Sequence, residues 1–355
     1  MRPTTSSLHA PPKLSNIHIL LADGDLYMSS ILCHMLHTMG FTNVTRSSNG
    51  QKALELIETR QIDILITEWS MEGMDGIDLA QYMRDPKKSP HLTLPIIMMT
   101  GRAERQNVEQ ARDFGITEFV VKPVTTVMLF DRIRRIFDSP RDFVIASTYV
   151  GPDRRHKQSD REGAEQRVTK PFIASKASVA LNSNEDPVIV SKNFDLRRKA
   201  NLVDSLSTVI TPQLLSKADE VIKSYRSESN QWISDDMQAL ERAIGMLAGD
   251  LPGASQHAQN AALSIKSRAG MFGYDMASNV AFALYVFLYH DFKPANAAHL
   301  LILRKHVEVM KVLLAGQQLG NTKEMEEELT SELLKMTAKL KDIRSIPEEL
   351  QNAAN

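Results

Sequence analysis

The chain has 355 residues, a formal net charge of −1 and one cysteine, Cys33. Near-neutral charge argues against a bulk polyanion binder, and a single Cys excludes an internal disulfide. The longest apolar-looking run, Val280–Tyr289, is too short to cross a bilayer, so a soluble cytoplasmic protein of two or three domains is expected, with no membrane partner.

Residues Met1–Ser15 read as a tail without the apolar core of a signal peptide. From Asn16 strands and helices alternate, the mark of a parallel sheet covered by helices. Ile17–Ala22 reads as a strand and Ser29–Met39 as a helix closed by Gly40. Cys33, on that helix, reads as a small core residue. Val44–Ser47 reads as a weak strand, followed after Asn49-Gly50 by a helix over Gln51–Thr59. Ile62–Thr67 is the central strand, because Ile64, Leu65 and Ile66 form a continuous apolar run. Glu68 closes it, and a glycine-rich loop to Gly76 follows. Gly76–Met83 is the next helix, then a strand over Leu94–Met99, a helix over Arg105–Phe114, a strand over Glu118–Val121 and a helix over Thr125–Phe137. Five strand–helix repeats over residues 16–139 predict one doubly wound (βα)5 domain of α/β class.

Residues 140–205 lose any long period and read as a polar linker. Arg154-Arg155-His156-Lys157 and Arg197-Arg198-Lys199 are short basic clusters within it. Aromatic residues are sparse around them and no helix-turn-helix pattern stands out, so they read as solvated charge and nucleic acid is not an expected partner. Residues 206–345 are helical, an all-α bundle, and 346–355 a tail. The first helix is capped by Thr211 and opened by Pro212; a second follows Ser234. A third spans about Ala254–Ala269, a fourth Met276–His290, a fifth starts at Pro294 and a sixth at Thr322. His290, His299 and His306 carry no flanking pattern and read as surface or half-buried histidines, and no histidine spacing suggests a metal site.

Several residues stand together at predicted strand ends: Asp23 after the first, Glu68 after the third, Thr100 after the fourth and Lys122-Pro123 after the fifth. With the Met74-Asp75-Gly76 turn, this arrangement resembles a bacterial response-regulator receiver domain, over about a third of the chain. The resemblance implies a site where a carboxylate accepts a phosphoryl group and Mg²⁺ offsets the charge. It makes Thr100 the switch hydroxyl, Phe119 the switch aromatic, Lys122 the phosphoryl-side ammonium and the Lys122–Pro123 bond cis. Two positions depart from the family. Glu68 stands where the acceptor aspartate belongs, and the second acid of the metal pair falls on Gly24, leaving Asp23 with Asp25 one place later. The extra methylene misplaces the carboxylate in a site that tolerates little error. A glutamate carries one charge, against about −1.5 to −2 on a phosphoryl group. Mg²⁺ binding is expected to be weak or lost, and no other cofactor is expected. Three readings of Glu68 stay open: a mimic of the phosphorylated state, a decayed site on a fold kept for docking, and residual acceptance.

In the helical half, Ala262–Tyr274 resembles the active helix of histidine-phosphotransfer domains through Ile265, Lys266, Ser267, Ala269 and Gly273. The phosphorylated histidine's position is Leu263, and His257 lies on a different face of the helix. The bland alternative is that the small residues simply pack one helix on its neighbours. The chain is therefore expected to be a non-enzymatic signalling protein of two-component type. It would act by phosphorylation-independent binding to a histidine kinase, a phosphotransfer protein or another receiver, through the faces around Arg105–Phe119 and Lys266. A conventional phospho-accepting regulator and a DNA-binding regulator are the alternatives.

Overall fold

The computed structural model describes residues 12–101, 113–146, 149–153, 169–170, 188–190, 195–249, 251–293, 296–319 and 323–340. It divides into two compact units, one ending at Val221 and the other beginning at Ile222.

In the first unit a five-stranded parallel sheet has the order β2-β1-β3-β4-β5, with β1 Ile19–Ala22, β2 Val44–Ser47, β3 Ile64–Glu68, β4 Ile96–Thr100 and β5 Glu118–Val121. The helices are α1 Leu26–Thr38, α2 Gly50–Thr59, α3 Gly76–Arg84 and α4 Thr126–Asp138. The doubly wound α/β expectation holds. The predicted helix over Arg105–Phe114 and the docking face begun there lie mostly outside the described residues. Every residue of β1 and β4 is buried, because helices cover both faces of the sheet. Leu20, Leu65, Met98, Leu54, Leu79 and Met83 form the core on the α2–α3 side. Each α-helix start follows its local chemistry: Asp25, Asn49, Asp75 and Thr125 each accept backbone N–H bonds as N-caps. Cys33 is half-buried rather than a core residue, with Sγ 3.7 Å from His37 Nε2.

The stretch expected as a polar linker contains structure. Strands β6 Phe143–Ala146, β7 Tyr149–Pro152, β8 Thr169–Lys170 and β9 Val188–Val190 form a second sheet of order β7-β6-β9-β8. Arg84 fastens it to the first. Its guanidinium donates to the carbonyls of Gly115 (2.9 Å), Leu92 (2.9 Å) and Leu94 (2.8 Å), and lies 5.1 Å from the centre of the Phe143 ring. Burial pushes Arg84 down to about 9, so it stays cationic at neutral pH. Gly115 has φ +71°, and a Cβ there would sit 2.3 Å from the Val150 carbonyl, so only glycine fits against the β6–β7 hairpin.

Residues 195–205, also expected as linker, run back over the first sheet's base. The short helix α5, Asp195–Lys199, ends on Lys199, whose Nζ meets both oxygens of Asp63 at 2.8 and 2.7 Å. Further on, Asp138 accepts from Ser205 Oγ (2.5 Å) and Leu206 N (2.9 Å). The cluster Arg197-Arg198-Lys199 is therefore not simply solvated charge: Lys199 is ion-paired and Arg197 bonds the carbonyls of Val203 and Asp204. The cluster Arg154–Lys157 lies outside the described residues.

Helix α6, Pro212–Ser224, leads into the second unit, which holds α7 Arg226–Ala248, α8 Ala254–Met271, α9 Asp275–His290, α10 Ala297–Leu319 and α11 Lys323–Leu340. Helix α8 packs against α7 and α9, α9 against α10, and α10 closes back on α7. The expected helix start at Ser234 is corrected. The helix already runs from Arg226, and Ser234 is an exposed mid-helix residue. Tyr225 breaks the pattern instead, with ψ near 0° between α6 and α7. His299 and His306 are also corrected: both are fully buried. His299 sits edge-on to Phe287 and accepts the N–H of Lys293 at Nδ1 (3.0 Å). His290 is exposed, as expected. No helix among the described residues is long and apolar enough to cross a membrane.

Candidate functional site

Four adjacent strands deliver one polar cluster to the C-terminal edge of the first sheet. Asp23 follows β1, Glu68 ends β3, Thr100 ends β4 and Lys122 follows β5. Backbone bonds fix these ends: Asp23 N to Ser47 O at 3.1 Å, Trp69 N to Met99 O at 2.8 Å and Lys122 N to Thr100 O at 2.7 Å. Gly76 closes the floor. A Cβ there would lie 2.0 Å from the Glu68 carbonyl, so the Met71–Asp75 loop can turn this tightly only over glycine. The Lys122–Pro123 bond is cis, as the resemblance implied.

Lys122 and Glu68 form a direct ion pair, with side chains only 7% and 13% exposed. The same ammonium lies 3.2 Å from Asp23 Oδ2. Asp23 is buried, and burial holds its carboxyl above the ordinary carboxylate range despite Lys122 and the Asp25 amide, which pull it down. Two carboxylates thus converge on one cation.

The donor set does not fit a paired-acid Mg²⁺ site. Asp23 Oδ1 accepts the Asp25 amide at 2.8 Å, and Oδ2 faces Lys122. Asp25 Oδ1 is used as the α1 cap, accepting Tyr27 N at 3.0 Å and Met28 N at 3.1 Å. Gly24 brings no side chain. Among the described residues no group of three or more metal-binding side chains forms.

Thr100 is buried at the end of β4, beside the cluster in register with Val121. Phe119 is half-buried and meets Trp69 edge-to-face, ring centres 6.3 Å apart. Trp69 was not singled out in the sequence. It directly follows Glu68 and is buried, so it joins the carboxylate's strand end to Phe119. A large aromatic immediately after the strand-end carboxylate was the available signal.

The phosphotransfer-like residues are placed differently from a presented motif. Leu263 is half-buried on α8. Lys266 is buried, its Nζ 4.4 Å from the centre of the Phe282 ring on α9, and its carbonyl accepts Ser278 Oγ at 2.8 Å. Ser267 is buried as well. Gly273 is exposed, with φ +82°, in the turn to α9. Ala258, Ala262, Ile265 and Ala269 are buried on α8, and Ala277 and Ala281 on α9, so the small residues serve helix packing.

Residues 19–134 match the family model described as response regulator receiver domain. The chain is similar to the chemotaxis protein CheY of Pseudomonas aeruginosa, 36% identical over 120 residues, covering 34% of this chain and 95% of that protein. It is also similar to chemotaxis protein CheY-3 of Vibrio cholerae, 32% identical over 123 residues, covering 35% and 93%. Among solved structures, CheY4 of Vibrio cholerae matches at 22% identity and a TM-score of 0.31, over 34% of this chain and 97% of that one.

Proposed function

Through residues 19–134 the chain belongs to the response-regulator receiver family of two-component signalling, and we propose that it signals by contact, without storing a phosphoryl group. The observation that carries this is the Glu68–Lys122 ion pair, shared with Asp23. In a phospho-accepting receiver the lysine turns toward the incoming phosphoryl group. Here a permanent carboxylate already occupies it. Glu68 then stands in for the modified aspartate at Lys122, with one negative charge in place of the phosphoryl group's about −1.5 to −2, and Thr100, Phe119 and Trp69 relay one fixed state to the surface. The departure at Gly24 supports the same reading, because transfer to a carboxylate needs the metal to offset charge. The chain performs no catalysis of its own.

The partner class follows from the family: a histidine kinase, a phosphotransfer protein or another receiver. The helical unit contributes a second surface, though not through Lys266, which is spent on Phe282. Copurification of the full chain from native cells tests the proposal. Capture of a two-component protein is expected, with equal yield whether or not Mg²⁺ and an acyl-phosphate donor are added. Capture that requires the donor would refute binding without phosphorylation.

A further inference from the structure

The edge strand β2 borders a cleft between α1 and α2 of about 810 Å³. That size falls among small-molecule sites of about 300–1,000 Å³. Asp23, Glu68, Thr100 and Lys122 do not line it; it adjoins their cluster at Ser47, whose carbonyl accepts the Asp23 amide at 3.1 Å.

Its wall joins apolar side chains to hydroxyls and two cations. Three serines line it, of which Ser29 and Ser47 are buried. Arg46, exposed on β2, and Lys52, on the first turn of α2, supply two cations; Lys52 Nζ donates to Ser48 Oγ at 3.3 Å. Among the described residues neither cation is held by a carboxylate, and Glu55 is the single acid of the lining. Leu56 and Leu26 add apolar wall, and Leu26 is 64% exposed at the mouth of the cleft. A guanidinium, an ammonium and several hydroxyls around one hollow are the donor set of a tetrahedral oxyanion. An exposed leucine beside them would cover an apolar or planar body.

We propose that the α1–α2 cleft binds a small organic phosphate of nucleotide size, its phosphoryl oxygens on Arg46, Lys52 and the serine hydroxyls and its body against Leu26 and Leu56. The site gives the chain a phosphate input that needs no transfer chemistry. It stands independently of the reading of Glu68.

The test is calorimetric titration of the full chain with ATP, GTP and inorganic pyrophosphate at physiological ionic strength. One nucleotide is expected to bind saturably at a single site. Arg46→Ala and Lys52→Ala should each weaken it at least about tenfold, since each removes charge-assisted bonds. Leu26→Ser should weaken the nucleotide and leave pyrophosphate unchanged. Glu68→Gln should leave both unchanged. Absence of saturable binding by all three probes overturns the proposal. So does binding that survives both cation substitutions, or binding that responds to Glu68→Gln, which would place the ligand at the strand-end cluster.

Discussion

Lys122 reaches across the C-terminal edge of the sheet to pair with Glu68, and the pair is almost closed to water. Asp23 holds the same ammonium from the β1 side. Removing the cation strands two carboxylates in a poorly solvated place. Lys122→Ala is expected to destabilise the first unit by about 3–5 kcal/mol, the cost of leaving a buried charge unpaired. Glu68→Gln should cost clearly less, because Asp23 still faces the ammonium. Urea unfolding of both variants compares them.

The same cluster predicts a repair. Gly24 has room for a side chain: a Cβ there would meet only the Ser48 carbonyl, at 3.7 Å. Glu68→Asp alone should accept little phosphoryl group, because the second metal carboxylate is still missing. Gly24→Asp combined with Glu68→Asp should restore Mg²⁺-dependent labelling by an acyl-phosphate donor. Equal labelling of the single and the double variant would show that Gly24 is not the second defect.

Arg84 predicts a stability effect far from the strand-end cluster. Its three carbonyl bonds and its place over Phe143 join α3, the start of β4, the start of β5 and the second sheet. Arg84→Ala should cost about 3 kcal/mol or more, since several bonds from a charged donor are lost at once. Arg84→Lys should recover only part, because a lysine has no fork to reach three carbonyls. Chemical denaturation in a Trp232→Phe background, monitored by Trp69 fluorescence, measures both.

His306 predicts a pH dependence in the helical unit. It is fully buried, Nδ1 lies 2.8 Å from the Ile302 carbonyl, and Nε2 has no partner among the described residues. Burial holds it down to about 4, below the ordinary 6.5. The unfolded chain therefore binds more protons within that interval. Stability is full above the ordinary value and falls as pH drops toward the folded one, by at most about 3 kcal/mol. His306→Leu should flatten the acid limb of a stability–pH curve followed by far-ultraviolet circular dichroism. An unchanged limb would assign the effect to other groups.

Much of the first unit was legible because its signals are local and repeated. Apolar runs bounded by turn residues located β1, β3 and β4, and the carboxylate, hydroxyl and lysine at the strand ends marked the cluster. The helix starts expected at Gln51 and Thr125 each lie one residue from the observed Gly50 and Thr126. What escaped depends on contacts between distant positions. The sequence around β6–β9 carries no strand–helix repeat like the one that located β1–β5, and their anchor Arg84 sits 59 residues before Phe143. The segment 195–205 mixes charged and apolar residues without a long period, and Lys199 and Ser205 find Asp63 and Asp138 only once the sheet exists. His299 and His306 looked like surface residues because nothing in their flanks reports the packing of α9 and α10. Lys266 matched a presented motif in sequence, and only the neighbouring helix shows that its charge rests on Phe282.

The most direct measurement is to incubate the full chain with Mg²⁺ and a small acyl-phosphate donor and to look for a hydroxylamine-labile adduct by intact mass. With Glu68 already closed on Lys122, no adduct at Glu68 is expected. A stoichiometric, hydroxylamine-labile phosphoryl group on Glu68 would contradict signalling by contact alone.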